Sequence, residues 1–326
     1  MQLPAALARA IETELSGIDS RSLTKAASEL SDRYRTSGSP PETELHCRAY
    51  LATRLPATYA VIHRVLSELH ARLENPDVKT LLDLGAGPAT SAWAAFPVFD
   101  ELESITMVER NSNMRALGRA LTQSMDRPGR ISWRADDLSS IESPAPHDIV
   151  LLSYSIGELS DSAAIRLTRL ARGCARVAVI IIEPGTPAGY ARVISHRAEL
   201  IELGSFIEAP CPHESPCPLV QGDWCHFAQR IERSKLHKSV KGASLGYEDE
   251  KYSYVIASKV APAAREARVI RHPQYSPGIV RLELCAPDGL SREIVRRSDK
   301  PRYRLARDVS WGESWPQLEK TPSEGN

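Results

Sequence analysis

Long apolar runs are missing from this chain. The longest uninterrupted aliphatic stretch covers residues 177–182, far short of the about 20 apolar residues that span a bilayer, so no membrane partner is expected. Aromatic residues are scarce, 6% with only 4 Phe, which leaves the core to aliphatic side chains. Net charge is lacking too: 41 Lys and Arg balance 41 Asp and Glu. The opening residues, MQLPAALARAIETELSGIDS, lack the basic start and apolar block of a secretory signal. Their acidic residues also run against the Arg/Ser bias of a transit peptide. A cytoplasmic location is the expectation. Paired CxxC spacings, the compact signature of a metal site, are absent as well.

What is present is a chain of 326 residues with 42% hydrophobic and 25% charged residues, an ordinary globular composition. Leu3, Ala6, Leu7, Ile11 and Leu15 recur at helical spacing, and so do Leu51, Leu55, Tyr59, Ile62 and Leu66. Residues 1–75 are read as an N-terminal helical region, with a Pro/Gly/Ser loop at 37–43. From residue 79 the pattern changes. Short aliphatic runs at 81–85, 104–110, 131–137, 148–155 and 176–184 alternate with helix-length segments. Strands of that kind, separated by helices, predict an α/β fold with a doubly wound, Rossmann-type parallel sheet over residues 76–205. Residues 206–250 hold three cysteines, several prolines and few aliphatics, and read as a cysteine-rich insertion. Runs at 252–260 and 279–286 are expected to add edge strands to a basic C-terminal segment, 251–316, followed by a polar, frayed tail at 317–326.

The first strand ends in Asp83, Leu84, Gly85, Ala86, Gly87 and Pro88. Glycines at that point let the chain turn tightly and let a ligand approach the backbone. Glu109 closes the second strand, 22 residues after Gly87, close to the spacing of roughly 20 at which an acid meets ribose hydroxyls. Asp136 and Asp137 close the third strand, within reach of an adenine amino group. A glycine-rich strand end is by itself only a turn, and acids at strand ends are commonly helix caps. Three such signals in order at successive strand ends favour S-adenosylmethionine as cofactor. The third glycine of a dinucleotide fingerprint is replaced by Ala89, which argues against a dehydrogenase. The Asn/Asp-Pro-Pro-aromatic motif of many amino methyltransferases is replaced after the fourth strand by SYSIGEL, residues 153–159. Ser153, Tyr154, Glu158 and Glu183 fall near the pocket rim, where capping and strand-end solvation account for them without a proton-transfer role, so no catalytic residue is assigned.

Cys211, Cys217 and Cys225 form Cys-x5-Cys-x7-Cys, and Cys285 follows far downstream. Four thiolates complete the shell of a 4Fe–4S cluster or of a structural zinc. Spacing does not choose between them, and His213 or His226 would serve a Cys/His zinc site, although both read more simply as polar loop residues. Cys47 and Cys174 stand alone and read as buried thiols. Between Arg230 and Arg307 there are 18 Lys or Arg against 9 Asp or Glu, a local net charge of 18 − 9 = +9 that the rest of the chain cancels. Arg230, Arg233, Lys235, Lys238 and Lys241 crowd one stretch. Arg292, Arg296, Arg297, Lys300, Arg302, Arg304 and Arg307 crowd another, near Tyr303, Trp311 and Trp315. Such runs are usually only solvated faces, but basic groups neutralise phosphates and aromatics stack on unpaired bases. RNA is the expected partner, and DNA is not.

The runs CPHESPCPL (211–219), DWCHFAQR (223–230) and GYEDEKYSY (246–254) resemble the small-ribosomal-subunit methyltransferase-like family, found in bacteria and, as a ribosome assembly factor, in mitochondria. DLGAGPAT (83–90), IIEPGTPAGY (181–190), LCAPDG (284–289) and WGESWP (311–316) resemble it too, and the likeness covers roughly residues 30–316. The resemblance implies a class I methyltransferase fold, binding of small-subunit ribosomal RNA within a pre-ribosomal particle, and a 4Fe–4S cluster on Cys211, Cys217, Cys225 and Cys285. It places the cofactor motif at Asp83–Pro88, with Ala89 where the family usually has glycine. Two functions follow. One is an S-adenosylmethionine-dependent methyltransferase acting on ribosomal RNA in ribosome assembly and translation. The other is a non-catalytic, ribosome-associated assembly factor that keeps the cofactor fold.

Overall fold

A computed structural model describes residues 1–36, 40–73, 77–142, 144–220 and 222–316. It begins with four helices, α1 (Ala5–Glu14), α2 (Ser20–Thr36), α3 (Glu44–Thr53) and α4 (Leu55–Arg72). Leu7, Ile11 and Leu15 are buried as their spacing predicts. The second periodic stretch is two helices rather than one. Pro56 sits in the first turn of α4, where its missing N–H is tolerated but cannot continue α3. Thr43 starts α3 by accepting the His46 N–H at 3.1 Å.

Strands then alternate with helices: β1 (Thr80–Leu84), α5 (Thr90–Ala95), β2 (Ser104–Val108), α6 (Ser112–Thr122), β3 (Ile131–Arg134), β4 (His147–Ser153), α7 (Asp161–Cys174), β5 (Ala175–Pro184), α8 (Pro187–Glu202) and β6 (Phe206–Ala209). Side-chain oxygens of Asn111, Ser160 and Thr186 cap α6, α7 and α8. The chain continues with β7 (Phe227–Glu232), α9 (Lys235–Lys241) and β8 (Tyr247–Ser258). The sheet order is β3-β2-β1-β4-β5-β8-β6, with β7 also on β8. The first five of these strands are parallel, and β8 runs antiparallel to β5, β6 and β7. This is the expected doubly wound α/β sheet, its parallel order broken by one reversed strand as in class I methyltransferases. Helices α1 to α6 bury one face, and α7 and α8 the other.

Two expectations change. The run at 252–260 is no edge strand: its residues 252–258 are the second half of β8, buried and seated between β5 and β6. The first half, YEDEK, alternates between exposed and half-buried and pairs with β7. Its charges disguised the strand, and the strand runs straight through the break expected at 250/251. Nor does the segment 206–250 stand apart. β6 and β7 extend the main sheet, and Phe227, Ile231 and Val240 are buried, so the segment borrows a core rather than lacking one.

The remaining elements are β9 (Ala267–Val269), β10 (Gln274–Ser276), β11 (Ile279–Ala286), β12 (Gly289–Arg296), α10 (Lys300–Asp308) and β13 (Ser314–Trp315). They build a second, antiparallel sheet ordered β10-β11-β9-β13 with β12 on β11. The run at 279–286 is therefore the central strand of its own sheet. Even-numbered residues of β11, with Val295, Ala306, Val309 and Trp315, form a separate core under α10. The expected boundary at 75/76 and the tail at 317–326 lie outside the described residues. No helix among the described residues is long and apolar enough to cross a membrane.

Candidate functional site

The loop after β1 is built by its backbone. Gly85 and Ala86 N–H groups donate to Val108 O at 2.9 and 3.0 Å, which holds the turn against the end of β2. Gly85 has φ +90° and Gly87 φ +53°, the left-handed region that glycine enters freely. A Cβ on Gly85 would stand 2.5 Å from the Ser155 Cβ, whereas one on Gly87 would meet nothing within 4 Å. Gly85 is thus packed against the segment after β4, and Gly87 faces open space. Ala89 caps α5 with φ 64°. An L-residue there is strained by about 1–2 kcal/mol, so the departure from glycine is borne by the backbone rather than by a narrower loop.

Asp83 is 2% exposed. One carboxyl oxygen accepts from the Ser91 hydroxyl, and the other is buried without a partner. Burial pushes Asp83 up to about 7, partly offset by Ser91 and reinforced by Glu109. Glu109 accepts from the backbone N–H of Gly87 at 2.9 Å and of Asn111 at 2.7 Å, and burial raises it as well. Each of its oxygens keeps a lone pair for a further donor. Asp137 is differently employed. It accepts the Ser139 hydroxyl and N–H and pairs with Arg110 at 2.8 Å, and these contacts lower it to about 2. It organises its own turn instead of waiting for a ligand. Glu158, after β4, is exposed, yet the crowding of its neighbours raises it to about 8, with Glu109 and Glu183 adding to the rise. Glu183 gives one oxygen to Arg192 at 2.6 Å, and its other oxygen has no partner. Carboxyl groups therefore gather at the carboxyl end of the sheet with too little positive charge to match. Sequence reasoning missed Ser91 and Ser155. No local pattern marks Ser155, since only the fold brings β4 beside β1.

Tyr154 has φ 57°, the left-handed region for a bulky residue, and its hydroxyl is buried without a partner. Ser153 Oγ is in the same state. Backbone strain of this kind gathers at functional sites.

Cys211, Cys217, Cys225 and Cys285 line one cavity, together with Tyr190, Arg197 and Arg268. All four are free thiols. Cys211 follows β6, Cys225 precedes β7, and Cys285 lies in β11 opposite Arg268, so the cavity is the seam between the two sheets. Burial raises Cys211, Cys225 and Cys285, the last to about 12, and the neighbouring thiols raise each further. Tyr190 donates its hydroxyl to Cys217 at 3.1 Å. No three His, Cys, Asp or Glu side chains among the described residues converge on one ion position. Cys47 and Cys174 are buried elsewhere, as expected: Cys47 touches Asn111, and Cys174 donates to Pro144 O. His213 is no solvated loop residue. It is buried, with Nε2 3.5 Å from Cys285 and Nδ1 facing Ser215 O. His226 stacks on Trp224 with its edge towards Trp311.

The basic segments divide. Arg230 is held by both oxygens of Asp249 at 2.8 and 2.9 Å and lies over Tyr247. Arg233 and Lys241 both pair with Glu248. Against the opposing effect of burial, His237, Lys241 and Arg233 hold Glu248 far below the usual carboxylate range. Arg302 is 8% exposed, bonded to Glu293 and packed over Trp315, itself buried. All four are thus paired with carboxylates that lie close in the fold. Trp315 belongs to the core, and Trp311 packs on His226 and His272, so neither offers a free face. Lys235, Arg296, Arg297, Lys300, Arg304 and Arg307 are exposed, and Lys238 is half-buried.

A family model described as "Mitochondrial small ribosomal subunit Rsm22" matches residues 44–316. The human "Ribosome assembly protein METTL17, mitochondrial" (Homo sapiens) is 29% identical over 298 residues, 84% of this chain and 63% of that protein. "Rsm22-cox11 tandem protein 2, mitochondrial" of Schizosaccharomyces pombe is 24% identical over 92% of this chain and 47% of its own length. The chain thus spans less than two thirds of either relative. A solved structure titled as a putative RNA methyltransferase from Pyrococcus horikoshii is 15% identical, covering 61% of this chain and 80% of that one, with a TM-score of 0.40. Both named relatives are mitochondrial, against the cytoplasmic expectation, which rested on the opening residues alone. The family match takes in both the glycine loop and all four cavity cysteines, and on it the chain belongs to the Rsm22 family of mitochondrial small-ribosomal-subunit proteins.

Proposed function

We propose that this chain is a small-ribosomal-subunit assembly factor. It binds the subunit's RNA through its C-terminal basic surface and S-adenosylmethionine through the glycine loop. Cys211, Cys217, Cys225 and Cys285 hold a metal group. The observation that carries the reading is the β11–β12 hairpin, where Cys285 faces the cavity shared with the main sheet while Arg292 and Arg296 point outward. A group bound by all four thiols cross-links the two sheets and so fixes the basic surface relative to the methyltransferase-type half. A 4Fe–4S cluster is the group that the family resemblance implies for this donor set, and four thiolates suit zinc as the alternative. The names of the relatives agree with an assembly role.

S-adenosylmethionine supplies an electrophilic methyl group on a sulfonium cation and a zwitterionic amino-acid end. The unpartnered oxygen of Asp83 is placed for the ammonium or its water, Glu109 for the ribose, and Gly87 for close approach. The excess carboxyl charge at this end of the sheet favours a cationic ligand. Exposed Arg292, Arg296, Arg297, Lys300, Arg304 and Arg307, with Lys235 and Lys238, would meet phosphates. Calorimetry with S-adenosylmethionine tests the first site. Iron, sulfide and zinc analysis of protein made without oxygen tests the second, and stoichiometric zinc without iron would reverse the choice of metal.

Methyl transfer to ribosomal RNA is a second reading, favoured by the strained, unpartnered Tyr154 beside the loop. Mapping methylated nucleotides in small-subunit RNA with and without the protein decides between the two, since a pure assembly factor leaves the map unchanged.

A further inference from the structure

Arg197, on α8, is 3% exposed and lines the four-cysteine cavity. Its Nη2 donates to the carbonyl oxygens of His213 and of Ser215, the latter at 3.0 Å. Its Nε is buried with no partner. The other inward-facing arginines each have a carboxylate: Arg192 has Glu183, Arg268 has Glu68, and Arg302 has Glu293. Among the described residues Arg197 has no carboxylate; its partners are the two carbonyl oxygens and the Cys211 thiol. Burying an unpaired charge is strongly unfavourable, by several kcal/mol per ion even after relaxation, so a counter-charge is missing from the protein's own side chains. Four neutral thiols cannot supply it.

We propose that Arg197 is the counter-charge of an anionic, thiolate-ligated metal group in this cavity, with Arg268 as the second contributor. The inference rests on the metal reading given above. Four thiolates around a dipositive core leave roughly two negative charges. Arg197 contributes one positive charge. The Arg268–Glu68–Arg72 triad contributes another, two guanidiniums less one carboxylate. Arg268 also donates to Pro210 O, next to Cys211, so both charges sit against the thiol loop. The balance holds for an iron cluster or for zinc, because both leave the same net charge.

The test compares wild type, Arg197→Gln and Arg197→Lys, prepared without oxygen. Cobalt(II) affinity is read from the thiolate-to-metal absorption, and reduction potential is read from the as-isolated iron protein. Arg197→Gln should lose at least about tenfold in cobalt affinity. It should also make reduction about tenfold less favourable, roughly 59 mV for a one-electron couple. Arg197→Lys, which keeps the charge and loses the fork, should stay within about threefold of wild type. If glutamine matches wild type, or lysine is as impaired as glutamine, the charge is not what matters and the inference falls while the metal reading stands. Wild type that binds neither cobalt nor iron overturns the metal reading itself, and the inference with it. Should Arg197→Gln not fold, Glu68→Gln carries the test with opposite sign. Freeing Arg268 of its carboxylate should ease reduction, and an unmoved potential would overturn the proposal.

Discussion

The carboxyl end of the main sheet and the seam between the two sheets are mismatched in opposite senses. At the first, burial raises Asp83, Glu109 and Glu158, and Glu109 raises Asp83 and Glu158 further, so the site has more carboxyl groups than it can hold charged. At the second, a buried guanidinium has no carboxylate, and burial raises Cys211, Cys225 and Cys285. On the proposals above, one region would take a cation and the other an anionic metal–thiolate group. They also differ in assembly. The cofactor loop is closed by hydrogen bonds between neighbouring strands, so local chain geometry makes most of it. The seam joins residues 211 and 285 across two sheets, and only completed folding makes it. The loop should therefore survive loss of its ligand better than the seam survives loss of its metal.

The largest expected effect breaks the seam. Changing any one of Cys211, Cys217, Cys225 or Cys285 to Ser should remove the metal and cost on the order of several kcal/mol of stability, because metal binding energy is there folding energy. Cys47→Ser and Cys174→Ser should keep full metal content, and metal analysis beside thermal unfolding reads both. Retained stoichiometric metal in any of the four variants would strike that residue from the ligand set.

Next comes the loop. Gly85→Val places a branched carbon where Ser155 Cβ is already 2.5 Å from an added Cβ, at φ +90°. S-adenosylmethionine affinity should fall by more than tenfold in calorimetry while metal content stays whole, and a variant that binds normally would displace the site. The carboxyl surplus gives a pH signature of similar size. Asp83 shifts from 3.8 to about 7 in the fold, so its neutral form is the one the fold favours. That stability is fully present below about pH 4 and is lost as pH rises through about 7. Asp83→Asn should accordingly stabilise the ligand-free protein at pH 8 by about 2–4 kcal/mol and have little effect at pH 4. Denaturant unfolding at both values checks the sign.

A smaller effect separates paired from free arginines. Changing Arg296, Arg297 and Arg304 together to Ala should reduce the slope of log affinity for RNA against log salt by about 2, at roughly 0.7 per phosphate contact on single strands. Arg302→Ala should lower stability through lost packing on Trp315 and leave that slope alone. Equal slopes for wild type and the triple variant would remove the basic surface from the interface. The smallest expected change is Ala89→Gly, which relieves the left-handed backbone at φ 64° and should stabilise by about 0.5–1 kcal/mol, less the entropy glycine gains on unfolding.

Much of this was legible beforehand because it is local. The alternation of aliphatic runs with helical segments marked β1 to β5, since parallel strands buried on both faces read as continuous apolar stretches. Gly85, Gly87 and Glu109 were visible for the same reason, each set by its position at a strand end. The polar half of β8 was hidden because YEDEK obeys a two-residue period only against β7, a partner known from the fold alone. The four thiols were visible as a set, but Arg197 was one arginine among many, with nothing nearby in sequence to mark it.

By itself the sequence determined the sheet's parallel core, the place of the glycine turn, the cysteine set and the total of basic charge. These depend on residue type and short spacing, which any folded form of the chain must respect. Tertiary structure decided which charges are free. Arg230, Arg233, Lys241 and Arg302 are neutralised by acids that folding brings to them, from 7 to 19 residues away. Arg197 is left without one at the cavity wall. Coulomb energy depends on separation and local dielectric, and neither exists until the two sheets have closed on each other.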